Sequence, residues 1–105
     1  MKMHEYETKA MSFRLPTADS TYAVLNLAAE VGELYSHIAK AIRDGMEDEE
    51  AHFELLHKEL GDILWQVTAI ARDTGSSLEQ IANKNIDKLS KRRDNNSIQG
   101  SGDER

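Results

Sequence analysis

Two stretches of helical apolar periodicity, Ser20–Asp44 and Glu49–Asp73, are separated only by residues 45–48. Each would form a helix about 37 Å long, whereas the connector spans at most about 14 Å. The second helix must therefore run back along the first as an antiparallel pair. The first stretch carries Val24, Leu27, Val31, Leu34, Ile38 and Ile42; the second carries Phe53, Leu56, Leu60, Ile63, Leu64, Val67, Ile70 and Ala71. Both sets follow the helical repeat, which predicts that these stripes are the inward faces. Local signals agree: Pro16, Thr17, Asp19 and Ser20 break and cap the chain, while Gly45 and Gly75 supply the stops.

Shorter helices are predicted on either side. Residues 3–11 form the first, with Tyr6, Ala10 and Phe13 offering an apolar side. Ser76 followed by Glu79 has the form of a capping box and opens a last helix through about Arg92. Leu78, Ile81, Ala82, Ile86 and Leu89 are its inward residues. Residues 94–105 are polar and contain glycine, a composition that predicts no fixed structure. The expectation is an all-α chain of four helices: a single helical domain over 1–93 and a polar tail over 94–105.

Charge interrupts both long helices at a regular spacing. Glu30 and Glu33 stand in LNLAAEVGEL, and Glu59 and Asp62 stand in KELGDILWQV. Each pair is i, i+3, so both acids of a pair leave one side of their helix. Taking Leu27 as the centre of its stripe, Glu30 falls about 60° and Glu33 about 120° to the same side. Asn26, His37 and Lys40 share that flank, and Gln66 shares the flank of Glu59 and Asp62. Antiparallel pairing with the acidic flanks facing would gather four carboxylates around one cavity. Such a cluster repels itself unless a cation sits within it. Oxygen-only ligands select a hard divalent ion, magnesium above all. The bland alternative is a solvated acidic face, common for carboxylates spaced this way.

Composition narrows the partners. A net charge of −6 argues against binding a nucleic-acid polymer through its phosphates. Without cysteine there is no disulfide framework, thiolate zinc site or cysteine nucleophile. No stretch approaches the roughly 20 apolar residues of a membrane span, and MKMHEYETKAMSF lacks the apolar run of a signal peptide. A soluble cytoplasmic protein is the expectation. Helices apolar on more than one side, in a chain of 105 residues, want a partner surface, so self-association as a dimer or tetramer is expected.

The pattern E-x-x-E followed by E-x-x-D on paired helices resembles the MazG-like members of the all-α nucleoside triphosphate pyrophosphohydrolase superfamily. HEYETKA, LNLAAEVGEL, KELGDILWQV and GSSLEQIANKNIDKLSKRR are similar to successive blocks of small single-domain members, and IQGSGDER is similar to an ending seen in some. One departure is Ala29, where many members carry an additional acid before the E-x-x-E. The resemblance implies magnesium-dependent hydrolysis of a (deoxy)nucleoside triphosphate to the monophosphate and pyrophosphate, in nucleotide-pool house-cleaning. It also implies a MazG-like four-helix arrangement, with neighbouring subunits completing the site.

Residue roles follow from that chemistry. Glu30, Glu33, Glu59 and Asp62 would hold the metal, and one glutamate would accept a proton from the attacking water. Asn85, Lys88 and Arg92 lie at i, i+3, i+7 on one side of the last helix and match the family's Asn-x-x-Lys-x-x-x-Arg, which implies contacts to the β- and γ-phosphates. The plain alternative for Lys88 and Arg92 is a basic C-terminus complementing the helix dipole. Lys40 is a further phosphate candidate. Trp65 and Asn26 are candidates for the base pocket, with Tyr6 and His37 behind them; Trp65 suits an interface equally. Gly100, Ser101 and Gly102 could turn backbone amides toward a phosphate with Arg105 nearby, or form a flexible end.

Two other functions compete. A carboxylate-bridged di-iron protein needs Glu-x-x-His on each of two helices, whereas Glu49-x-x-His52 and Glu54-x-x-His57 both open one helix. A non-enzymatic helical adapter would use its acids for solubility alone, and would tolerate Glu59→Gln.

Overall fold

Three helices begin on the same local device. In the computed structural model, which describes residues 1–103, Asp19 caps α2 (Ser20–Asp44) by accepting from the Tyr22 amide at 2.9 Å. Asp48 caps α3 (Glu49–Asp73) through the Ala51 amide at 3.1 Å, and Ser77 caps α4 (Leu78–Asp94) through the Gln80 amide at 3.1 Å. Each satisfies an amide that the first helical turn leaves without a partner. The α4 cap is a correction: Ser77 does the work expected of Ser76, whose hydroxyl donates to the Gln80 side chain instead. The first helix, α1, spans Met3–Ser12. No strand occurs among the described residues, and no helix is long and apolar enough to cross a membrane.

Helix α3 ends in a Schellman arrangement. The Ser76 amide donates to Ala71 O at 2.8 Å and the Gly75 amide donates to Arg72 O at 3.1 Å. Gly75 takes φ 74°, a conformation that costs glycine little. That turn sends the chain into α4 directly behind α3.

The long helices pair antiparallel, as the short connector requires. His37 meets Glu59 near the connector, whereas Ala23 and Ala69 share a buried cluster at the far end. Helix α2 packs on α3 alone, while α1 and α4 pack on α3 and on each other. Helix α1 is tied to α3 by Trp65 Nε1 donating to Ala10 O at 2.9 Å, and the turn after it by Arg14 bonded bidentately to Asp73 at 2.8 Å. Glu7 accepts from the Leu78 amide and joins α1 to the start of α4.

The rotation of α2 differs from the sequence expectation. The face on α3 is Ala23, Asn26, Leu27, Glu30, Val31, Leu34 and His37, whereas Val24 is 56 % and Ile42 81 % exposed. An apolar stripe records which residues avoid water, not which neighbour shields them. Small Ala23 and Ala69 permit close approach, and the His37–Glu59 bond across the seam fixes the turn of the helix. Phe53 and Leu60 of α3, and Ile81, Ile86 and Leu89 of α4, likewise remain exposed.

The core is correspondingly thin. Ala10, Met11, Ala23 and Ala69 form its buried centre, with Tyr6, Trp65 and Ile70 packed against it, and no large side chain is fully buried. The chain exposes 7961 Å², against about 5,900 Å² for a compact monomer of its mass. Its radius of gyration is 16.9 Å, against about 13 Å for a compact domain of this length.

Among the described residues after α4, Ser97 and Asp103 make contacts back to the helix. The Ser97 amide donates to Arg92 O at 2.6 Å, and Asp103 returns to Lys88 and Arg92. Arg105 lies outside the described residues.

Candidate active site

Glu30 and Glu59 reach the seam between α2 and α3 from opposite helices, half-buried and buried respectively. Glu33 stands one turn beyond Glu30 on the exposed edge. One carboxylate oxygen from each of the three lies within 4.8 Å of the other two. This closeness is what the i, i+3 spacing and antiparallel pairing demand. The inward rotation of α2 completes it, turning the acidic flank toward α3.

Asp62 stands beside this triad. The Glu30 carboxyl is pushed above the usual carboxylate range, first by burial and then by the charges of Asp62, Glu33 and Glu59. Asn26 works against that shift by donating to Glu30 Oε1 at 3.3 Å. Tyr6 of α1 has its hydroxyl pushed up by burial and by the charge of Asp62.

Glu59 is held asymmetrically. Its Oε1 accepts from His37 Nε2 at 3.1 Å, whereas its Oε2 is buried without a hydrogen-bond partner. A buried carboxylate oxygen left alone costs about 1–3 kcal/mol or more. Gln66, one turn past Asp62, also buries an unpartnered oxygen, Oε1. Oxygens around a hard cation bonded at 2.0–2.6 Å lie about 3–5 Å apart. A triad of that size, made of oxygen donors and containing an orphaned one, fits such an ion.

The remaining candidates occupy other places. Trp65 is bound through its indole to α1 and packs against the buried cluster. Lys40 is exposed and lines a cleft of about 380 Å³ at the α2–α3 connector, with His37 and His52. Asn85 lines a cavity of about 690 Å³ between the start of α1 and α4. Lys88 and Arg92 line a basic cleft of about 370 Å³ with Lys84 and Lys91. Helix α4 makes no packing contact with α2, so one chain does not bring these cations onto the carboxylates. Glu54 and His57 of the di-iron alternative face solvent on the early turns of α3.

Two residues matter more here than their sequence rank suggested. His37 orients Glu59, a role signalled by its position one turn beyond Glu33 on the acidic flank. Gln66 was visible on the Glu59–Asp62 flank, yet a glutamine there carries no motif.

Residues 19–97 match the family described as the MazG nucleotide pyrophosphohydrolase domain. The chain is also similar to the Gene 37 protein of Mycobacterium phage L5, with 36 % identity over 87 residues, covering 81 % of this chain and 75 % of that protein. No solved structure gives a significant match.

Proposed function

The chain belongs to the MazG nucleotide pyrophosphohydrolase family, and from that membership we propose that it hydrolyses (deoxy)nucleoside triphosphates at the α–β phosphoanhydride bond. The products are the monophosphate and pyrophosphate, and the setting is cytoplasmic nucleotide-pool house-cleaning. The observation that carries the reading is the triad of Glu30, Glu33 and Glu59 with its orphaned Glu59 oxygen.

Glu30, Glu33, Glu59 and Asp62 would hold magnesium. Bound there, it would supply neutralising charge to the polyphosphate and acidify water. The protein's own part is positional. Asn26 holds Glu30 and His37 holds one oxygen of Glu59, so two carboxylates on facing helices keep fixed directions. Glu33, the exposed member of the triad, is suited to accept the proton of the attacking water. Asn85, Lys88 and Arg92 would bind the outer phosphates. Asn26 and Trp65 remain our candidates near the base.

We further propose that a second copy completes the site. Each chain exposes about 2,000 Å² beyond a compact monomer's, so two copies together offer about 4,000 Å², within the range of an obligate interface. Pairing would cover the exposed apolar side of α2 and bring basic groups to carboxylates that one chain leaves apart.

The test is nucleotide turnover with magnesium, scoring pyrophosphate separately from orthophosphate. Pyrophosphate release should vanish with a chelator, and Glu59→Gln should cut it at least about a hundredfold with helical content unchanged. A Glu59→Gln protein as active as the parent would refute the assignment and favour the adapter.

A further inference from the structure

Gly102 and Asp103 lie on groups that the proposed reaction needs. Asp103 Oδ1 is 3.2 Å from Lys88 Nζ and 3.2 Å from Arg92 Nη2, bridging the two cations. Arg92 Nη2 also donates to the carbonyl oxygens of Gly102 and Asp103, each at 3.3 Å. The partners are unequal in burial: the Arg92 side chain is 8 % exposed and that of Asp103 81 %. A contact spanning 11 residues thus places a solvent-facing carboxylate on a buried guanidinium.

The cleft around this contact is built for more charge than it receives. Among the described residues, Lys84, Lys88, Lys91 and Arg92 share the cleft with two acids, Asp87 and Asp103. Arg92 Nε is buried with no hydrogen-bond partner. A guanidinium presents donors in a planar fork suited to two oxygens of one anion. Asp103 engages one arm of that fork and leaves Nε unanswered.

We propose that residues 95–103 form a tethered occupant of the phosphate site, in which the Asp103 carboxylate stands where a substrate phosphate binds and must be displaced by it. This rests on the assignment of Lys88 and Arg92 to the substrate's phosphates. A polyphosphate offers several oxygens to the same donors, Nε included, so it outcompetes one carboxylate. The tether lowers apparent affinity by the fraction of time it is docked. It also speeds release of pyrophosphate by replacing it. Hydrolysis of a weak anion, or retention of product, is thereby disfavoured without a separate regulatory domain.

The experiment is calorimetric binding of inorganic tripolyphosphate to the full chain, its Asp103→Asn and Asp103→Ala variants, and Lys88→Ala. Binding needs no turnover, so its outcome is separate from that of the nucleotide assay. A strap docked about nine-tenths of the time gives about tenfold tighter binding in both Asp103 variants. That gain should shrink as salt screens the contact in the parent protein. Unchanged or weaker binding in both Asp103 variants would overturn the strap and leave a structural latch. Tripolyphosphate binding unaffected by Lys88→Ala would overturn the phosphate assignment and the strap with it. Tightening in a protein that hydrolyses no nucleotide would overturn the enzyme reading while supporting the strap.

Discussion

At the scale of single residues, the site is a controlled excess of negative charge. Glu30 is pushed toward its neutral form by burial and by three neighbouring acids, and only Asn26 opposes this. Without metal those repulsions destabilise the fold. Glu30→Gln should therefore raise the melting temperature of metal-free protein by a few degrees and remove most of the magnesium-dependent rise, as thermal melts with and without magnesium would reveal. A lower metal-free melting temperature would mean that the acids are not in repulsive contact. The four acids were legible in sequence because charge inside an apolar helix is conspicuous. Gln66 and the orienting role of His37 were not, since a neutral amide or imidazole beside a helix stripe has many ordinary explanations.

At the scale of elements, α2 and α3 have the bounds expected from sequence because their ends are set locally, by Asp19, Asp48 and Gly45 and by the Gly75 turn. Helix α4 opened later than expected because two serines stand in succession and only Ser77 accepts from the amide of Gln80. The tether between the turn after α1 and the end of α3 shows how elements add up. Arg14 holds the Asp73 carboxyl below its ordinary range mainly through their hydrogen bond. A depressed folded-state pKa contributes stability above the unfolded value of 3.8 that is lost as pH falls below it. Asp73→Asn should cost about 1 kcal/mol at neutral pH and flatten acid unfolding below about pH 4, as denaturant melts across pH would measure. An unchanged acid slope would remove the pair from the account.

For the whole molecule, sequence periodicity gave the stripes but not their neighbours. Val24, Ile38 and Ile42 were expected inside and are exposed, because the pattern does not distinguish a face buried in one chain from a face kept for another copy. The contacts of Asp103 were not legible in composition for a related reason: its partners stand more than ten residues back along the chain. If the exposed α2 face is an interface, sedimentation should give a multiple of 11.8 kDa, and Ile42→Glu should shift it toward that single-chain mass. A parent protein that sediments at 11.8 kDa would contradict the shared site.

The most direct test of the central claim follows the attacking oxygen. Turnover of a deoxynucleoside triphosphate with magnesium in ¹⁸O-labelled water, read by phosphorus NMR or mass spectrometry, reports which phosphorus is attacked. Attack at the α-phosphorus leaves a single ¹⁸O in the monophosphate and unlabelled pyrophosphate. Label in the pyrophosphate, or orthophosphate as the product, would contradict α-phosphorus attack at the Glu30–Glu33–Glu59 site.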